Sequence, residues 1–535
     1  MTTTTTETPL AGRREWTGLG VLSLACLLYV MDLTVLHLAV PALSADLQPT
    51  SAQLLWSIDI YGFMVAGFLV TMGTLGDRIG RRKLLLIGAA GFGVLSVLAA
   101  FSTSVEMLIV SRALLGVAGA TLALSTLSLI FSMFQDSRQR AVAVAVWISA
   151  FSAGSAIGPV LGGVVLEHFW WGSVFLLALP VMALLLALGP IVLPEYRDRD
   201  AGRLDLFSVA LSLVAVLAVI FGLKQIAQGG FGWIPAAVIL TGLATGAVFG
   251  RRQLTLADTM IDLRLFRIPA FAGSLAINFI SIFVAVGYFL FVAQYLQLVL
   301  GLSPLQAGLW SVPPAVGFIV GSQLAPRIVR SFRPAHVIGA GMAMAATGLA
   351  LLAQIGTWGG PRPLVAASVI ISLGLAPVLT LTTDLIVGSA PPERAGAASG
   401  ISETGAELGG ALGISILGSI GVAVYRGQLA SSLPAGVPTE SAGIARDTLG
   451  GAVAVAQQLP DALGASVLDV ARNAFIAGMH LTSVIAAVIA VEVAVLAVVL
   501  LRSNAAPPAD PEPEPQPVGA LVAHIAPTCC ETASQ

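Results

Sequence analysis

The amino-acid sequence predicts an all-α integral membrane protein, two six-helix bundles plus two extra helices, with about fourteen transmembrane helices. Three observations predict it. Of 535 residues, 57% are hydrophobic and 10% charged, with a mean hydropathy of +0.93, whereas a soluble domain carries about 25% charged residues. The apolar content is spread over almost the whole chain in runs close to the roughly 20 residues that cross a bilayer as a helix. Lysine and arginine alternate from loop to loop: twenty lie on the side of the N-terminus, and five, Lys224, Arg362, Arg426, Arg446 and Arg472, on the other. That bias sets orientation; it puts both termini in the cytoplasm and requires an even number of spans. The composition excludes a soluble enzyme, a nucleic-acid binder and a disordered scaffold.

Residues 1–16, with the run Thr2 to Thr6, read as a cytoplasmic N-terminal tail. The first apolar run is too long for a cleavable leader and stays as a span. Spans at 17–40, 54–74, 84–102, 106–130, 141–165 and 172–193 form an N-terminal bundle over 17–193. Residues 194–250 hold a linker and two inserted helices, 206–224 and 233–250. A C-terminal bundle over 251–501 has spans at 270–298, 305–325, 335–356, 364–388, 398–424 and 473–501. Its segment 425–472, rich in Gly, Ser and Ala, reads as a long outer loop, with an amphipathic helix at 461–472. Residues 502–535, with the Pro-rich acidic run Pro507 to Pro517, read as a disordered cytoplasmic tail. Leu75, Arg78, Ile79 and Arg81 after the second span recur at the same offsets as Leu324, Arg327, Ile328 and Arg330 after the tenth. Two parallel repeats of six spans would explain the echo; the alternative is two unrelated Arg-rich loops.

Charges inside a bilayer cost several kcal/mol and mark function. Those on this map are Asp32, Asp59, Arg112, Glu403, Glu407 and Glu492, with Asp77 and Asp384 nearer helix ends. Asp32 lies about 13 Å and Asp59 about 8 Å from the outer ends of their spans; Asp59 either serves the interior or simply reaches the outer water. Glu403 and Glu407 share one helix face. Two carboxylates so close in a dry cavity need not both ionise, and one would exchange a proton as the cavity opens to either side. The alternative is a pair of permanently neutralised structural charges. Glu492 has no evident partner, and Asp384 reads as solvated. Aromatic residues near these acids, Trp56, Tyr61, Phe279, Phe283, Tyr288 and Phe289, either face a cationic substrate or pack in the core. Gly154, Gly158 and Gly162, with Pro159 and Gly163 beside them, line one face of the fifth span, where small residues allow close helix approach and the proline a bend.

Neither Lys83 nor Lys224 stands in a Gly-Lys-Ser/Thr phosphate loop, so ATP binding of that kind is not expected. The scattered histidines His37, His168, His336, His480 and His524 suggest no metal site, and Cys26, Cys529 and Cys530 no disulfide framework. The chain is not expected to be an enzyme or to carry a cofactor; protons would be its coupling ion.

The run Gly73-Thr74-Leu75-Gly76-Asp77-Arg78-Ile79-Gly80-Arg81-Arg82-Lys83 resembles the loop signature between the second and third spans of the major facilitator superfamily. Asp32 to Pro41 is similar to the first-span motif of its fourteen-span drug:proton antiporter family, Arg112 with Gly116 to its fourth-span arginine motif, and Gly154 to Gly163 to its fifth-span antiporter motif. Trp56 to Gly62 and Ser402 to Gly413 resemble the quaternary-ammonium and dye exporters of that family. The resemblance implies the major facilitator fold. It implies that Gly73, Asp77, Arg78, Gly80, Arg81 and Arg82 latch one conformation, that Arg112 tunes proton coupling, and that Asp32, Glu403 and Glu407 bind protons or cations; Asp59 joins them as a coupling candidate by its place in the bilayer. His37 departs from the pattern, and in the second-half loop Pro326 stands where Asp77 stands in the first.

The expected function is proton-coupled export of amphipathic, mainly cationic drugs, dyes and antiseptics across the bacterial cytoplasmic membrane, by a functional monomer. The alternative keeps the mechanism and narrows the cargo to one metabolite or antibiotic. A receptor or assembly protein on a transporter fold is a third reading, and would show no transport in liposomes.

Overall fold

The computed structural model describes residues 10–195, 197, 205–229, 232–256, 263–356, 360–390 and 395–501. The expected tails fall largely outside these, and Cys529 and Cys530 wholly so. The described residues are helical, with no strand among them. The first half contains α1 (Arg13–Leu47), α2 (Ser51–Ile79), α3 (Arg81–Ala100), α4 (Val105–Met133), α5 (Ser137–His168), and α6 (Ser173–Leu176) running into α7 (Ala178–Val192). Then come α8 (Leu206–Gly229) and α9 (Trp233–Thr255). The second half contains α10 (Pro269–Gln294), α11 (Pro304–Trp310), α12 (Val312–Ile328), α13 (Pro334–Leu352), α14 (Arg362–Gly388), α15 (Ala395–Ser432), α16 (Thr439–Asp447), α17 (Leu449–Ala456) and α18 (Asp461–Leu500).

Each of the fourteen apolar runs is helical. Among the described residues, eleven helices are individually long and apolar enough to cross a bilayer. The other three runs correspond to α5 and α8, whose apolar stretches are Ile157–His168 and Phe207–Gly222, and to the pair α11–α12. That pair is interrupted at Ser311, ahead of Pro313 and Pro314 at the start of α12, because proline supplies no amide to continue the ladder.

The two halves repeat one packing plan. In the first, α1 packs on α5, α2 on α4, α3 on α4 and α3 on α7; in the second, α10 packs on α15, α12 on α14, α13 on α14 and α13 on α18. Between halves, α2 packs on α15, and α5 on α11 and α12. The second element of each half therefore meets the fifth of the other. The echoed arginine loops fall at equivalent ends of α2 and α12, here called the arginine-rich end.

The inserted helices pack on each other, and α8 covers the seam between α2 and α15. Phe63, Ile220 and Ala411 are buried together there, flanked by Trp56, Leu217 and Leu408. At the arginine-rich end Arg252 Nε donates to Asp205 Oδ2 (2.8 Å) and Ser208 Oγ (3.2 Å), and Gln253 Nε2 donates to the same hydroxyl (3.0 Å). The Arg252 guanidinium and then the Ser208 hydroxyl hold the Asp205 carboxyl well below the usual carboxylate range.

Residues 425–472 differ from the expected loop. Helix α15 continues to Ser432, α16 and α17 fold as a helical pair, and α18 starts at Asp461, so the expected 461–472 helix is the first part of the last span. Thr448 caps α17 by accepting from Gly451 N at 2.9 Å, and α17 packs on α1 and α18. This pair covers the end of the molecule opposite the arginine-rich loops.

Candidate functional site

Asp32 and Arg112, singled out separately in the sequence, form one ion pair. Arg112 Nη1 donates to Asp32 Oδ2 at 2.6 Å, and the side chains are 1% and 10% exposed. Arg112 Nε reaches the Ser57 carbonyl at 3.4 Å, and its guanidinium lies over the rings of Tyr61 (4.6 Å) and Phe175 (5.7 Å). A buried ion pair needs this many partners to offset the loss of water. Two glycines of α4 make the arrangement fit. A Cβ at Gly116 would stand 2.5 Å from the Tyr61 carbonyl, and one at Gly119 2.6 Å from its hydroxyl. Beside Asp32, between α1 and α6–α7, is a cavity of about 10 Å³, the size of a single water.

The second-half carboxylates meet the first half through a residue the sequence reading passed over. Tyr29 Oη, one turn before Asp32 on α1, donates to Glu407 Oε1 at 2.5 Å. The Tyr29 and Tyr61 rings are 6.2 Å apart. Acid and ion pair are thus joined across the interface through two tyrosines. Glu403, one turn nearer the arginine-rich end, is exposed and lies within electrostatic range of Cys26 and Tyr29 on α1, so it faces the space between the halves. The spacing of Tyr29 and Asp32 on one helix face is the signal the sequence carries for it.

Asp59 is 1% exposed, so the reading in which it reaches the outer water does not hold. Of the aromatic residues offered as cavity lining, Tyr61 lies within the site, under Arg112 and beside Tyr29. Trp56 packs against Phe63 and against Phe221 of α8, both at 6.4 Å, on the seam. Tyr61 is fully buried beneath Arg112. Tyr288 is buried and stacked on Phe289 at 4.6 Å, and Phe283 packs against the main core, with its carbonyl against Gly413 of α15. Glu492 is exposed on the face of α18 that presents Val488, Val491 and Val495, and Asp384 is also exposed.

The glycine face of α5 is a close crossing. A Cβ at Gly154 would lie 2.6 Å from the Leu27 carbonyl, one at Gly158 would collide with Thr34 Oγ1, and one at Gly162 would lie 2.6 Å from Val35, all on α1. Pro159 and Gly163 turn the other way, toward the second half: a Cβ at Gly163 would meet the Pro304 carbonyl at 2.7 Å, and one at Gly308 would strike that of Pro159. Further bonds join the halves at the end opposite the arginine-rich loops. Gln297 Nε2, on the π-helical turn that ends α10, donates to the Leu38 carbonyl (3.0 Å), Leu305 N to Glu167 Oε2 (3.3 Å), and Ser51 Oγ to the Asp447 carbonyl (2.5 Å).

In the loop after α2, Gly80 has φ +108°, which a side chain rarely adopts, and its Cα faces the Glu195 carboxylate closely enough to exclude a Cβ. Arg82 pairs with Glu195 (3.4 Å), which also accepts from Arg82 N (3.1 Å), and Arg82 Nη1 donates to the Leu193 carbonyl (3.0 Å). Glu195 was not singled out in the sequence. Gly73 packs toward Leu124 of α4, and Arg78 and Arg81 are half-buried; the side chain of Asp77 lies outside the described residues.

The profile of the Major Facilitator Superfamily matches residues 22–414. The chain is 43% identical over 501 residues to the multidrug efflux pump LfrA of Mycolicibacterium smegmatis, covering 94% of this chain and 98% of that one. It is 35% identical over 471 residues to the methyl viologen resistance protein SmvA of Salmonella typhimurium, covering 86% and 93%. It is 31% identical over 527 residues to the tetracenomycin C resistance and export protein of Streptomyces glaucescens, covering 97% of each. Among solved structures, a bacterial homologue of the human lysosomal transporter Spinster, inward-facing and unoccupied, superposes with a TM-score of 0.64 at 16% identity, over 93% of this chain and 100% of that one; this is a likeness of fold. The packing plan, the profile and these relatives place the chain in the Major Facilitator Superfamily.

Proposed function

We propose that the protein is a proton-coupled antiporter that exports amphipathic, mainly cationic drugs, dyes and antiseptics by alternating access. The observation that carries this reading is the set of carboxylates between the halves: Glu403 exposed, Glu407 bonded across the interface, and Asp32 held by Arg112. A carboxylate facing water between two moving halves can hold a proton or a cation but not readily both, and that competition is the exchange step. Asp59 is assigned to the same set by its burial. The Gly73–Arg82 loop would latch one conformation, through Arg78, Gly80, Arg81 and Arg82 with Asp77. The glycine face of α5, Gly154 to Gly163, would form the crossing on which the halves close at the opposite end.

The arginine-rich end is assigned to the cytoplasm of a bacterial cell by the positive-inside bias, with both termini on that side. No cofactor or nucleotide is required, lipid and the transported cations are the only partners, and the unit is a monomer. A narrower cargo, one antibiotic or metabolite, is the second reading; the relative named for tetracenomycin C export favours it. Ethidium export into everted vesicles tests both. Export of several unrelated cations that collapses with a protonophore, and with Asp32→Asn or Glu407→Gln at normal expression, is the expected result. Absence of export across several dyes by well-expressed wild type would sink the multidrug reading.

A further inference from the structure

The Tyr29 hydroxyl joins the two halves at the depth of the buried charges, across 378 positions of sequence. Behind it, the Tyr29 ring lies 6.2 Å from the Tyr61 ring, and Tyr61 carries the Arg112 guanidinium on its face. The groups facing Glu407 are Tyr29 from α1, Tyr61 from α2 and Glu403 from its own helix. The second carboxylate oxygen lies over the α2 backbone, where a Cβ at Gly62 would stand 4.0 Å from it.

The geometry points to Tyr29 as a positioning residue that couples the charge state of Glu407 to the contact between the halves. This deepens the proton-coupled reading and rests on it. A hydroxyl bond to an ionised carboxylate is about twice as strong as a neutral one, so ionised Glu407 ties α15 to α1 at mid-depth. When a proton from cavity water bonds to a Glu407 oxygen, the acceptor becomes neutral and the tie loosens; Tyr29 keeps its own proton throughout. A bound cation competes with the same hydroxyl for the same oxygens. Either event is felt at the interface and, through Tyr61, at the Arg112–Asp32 pair.

The test uses purified full-length protein in liposomes, with two readouts: gradient-driven ethidium export across a pH series, and ethidium–ethidium exchange without a gradient. Tyr29→Phe keeps the ring and removes the donor. It is expected to lower gradient-driven export about tenfold relative to exchange and to flatten the pH profile. Glu407→Asp keeps the charge but withdraws it from reach of Tyr29, and is expected to reproduce the Tyr29→Phe phenotype, giving a second route if that variant misfolds. A wild-type pH profile in Tyr29→Phe or in Glu407→Asp would overturn the role of Tyr29 and leave the exporter reading intact. Absence of gradient-driven export by folded wild type overturns the exporter reading itself.

Discussion

At the scale of single residues, the Asp32–Arg112 pair is the most demanding feature of the interior. Removing one partner of a buried pair leaves the other charge without compensation and costs about 3–5 kcal/mol. Asp32→Asn is therefore expected to lower thermal stability in detergent markedly. Replacing both, Asp32→Asn with Arg112→Met, should recover much of that stability without recovering export, and melting curves alongside dye export would separate the two effects. The charges themselves were legible, because each interrupts an apolar run. Their pairing was not, since it depends on how α1 and α4 are placed in space, and the seat of α4 against α2 is set by Gly116 and Gly119 lying against Tyr61. Tyr29 was only faintly legible, through its spacing from Asp32, for a related reason: a tyrosine in an apolar helix looks the same whether it faces lipid, core or a carboxylate from another half.

Among elements, the contact of α5 with α11 is built on backbone proximity. Gly308→Val would drive a branched side chain into the Pro159 carbonyl, and a close-packed crossing does not absorb that volume. The expected outcome is a folded protein whose opposite end cannot close, with a single cysteine at buried Ala307 becoming reactive to thiol reagents added from that side. The α8–α9 hairpin offers a pH test. The folded-state pKa of Asp205 is depressed by Arg252 and Ser208, so its contribution to stability is present above the unfolded carboxylate value of about 3.9 and is lost as pH falls through the folded value. Asp205→Asn should lower the melting temperature at neutral pH, and the gap from wild type should close progressively under strong acid. The span positions were readable from hydropathy alone. The segment 425–472 was not, because its Gly, Ser and Pro content gives weak intrinsic helicity; packing of α17 on α1 and α18 supplies what propensity lacks.

For the whole molecule, the six-two-six division and the arginine-loop echo anticipated two repeats, and the packing of second elements on fifth elements across the interface gives that symmetry its physical form. What the echo did not reveal is how α8 sits. A helix inserted between repeats in sequence is placed over the α2–α15 seam in space, with Trp56 packed against its Phe221. The seam and the crossing of α5 with α11 are the two lines along which the halves must slide if the protein alternates between open ends. If a proton and a cation compete for the same carboxylates, substrate binding must release protons. Ethidium is added to purified protein in weakly buffered detergent solution while the free proton concentration is followed with an indicator. The account predicts that wild type releases protons as dye binds and that Glu407→Gln releases markedly fewer. Saturable dye binding with no proton release at any pH in the neutral range would contradict it.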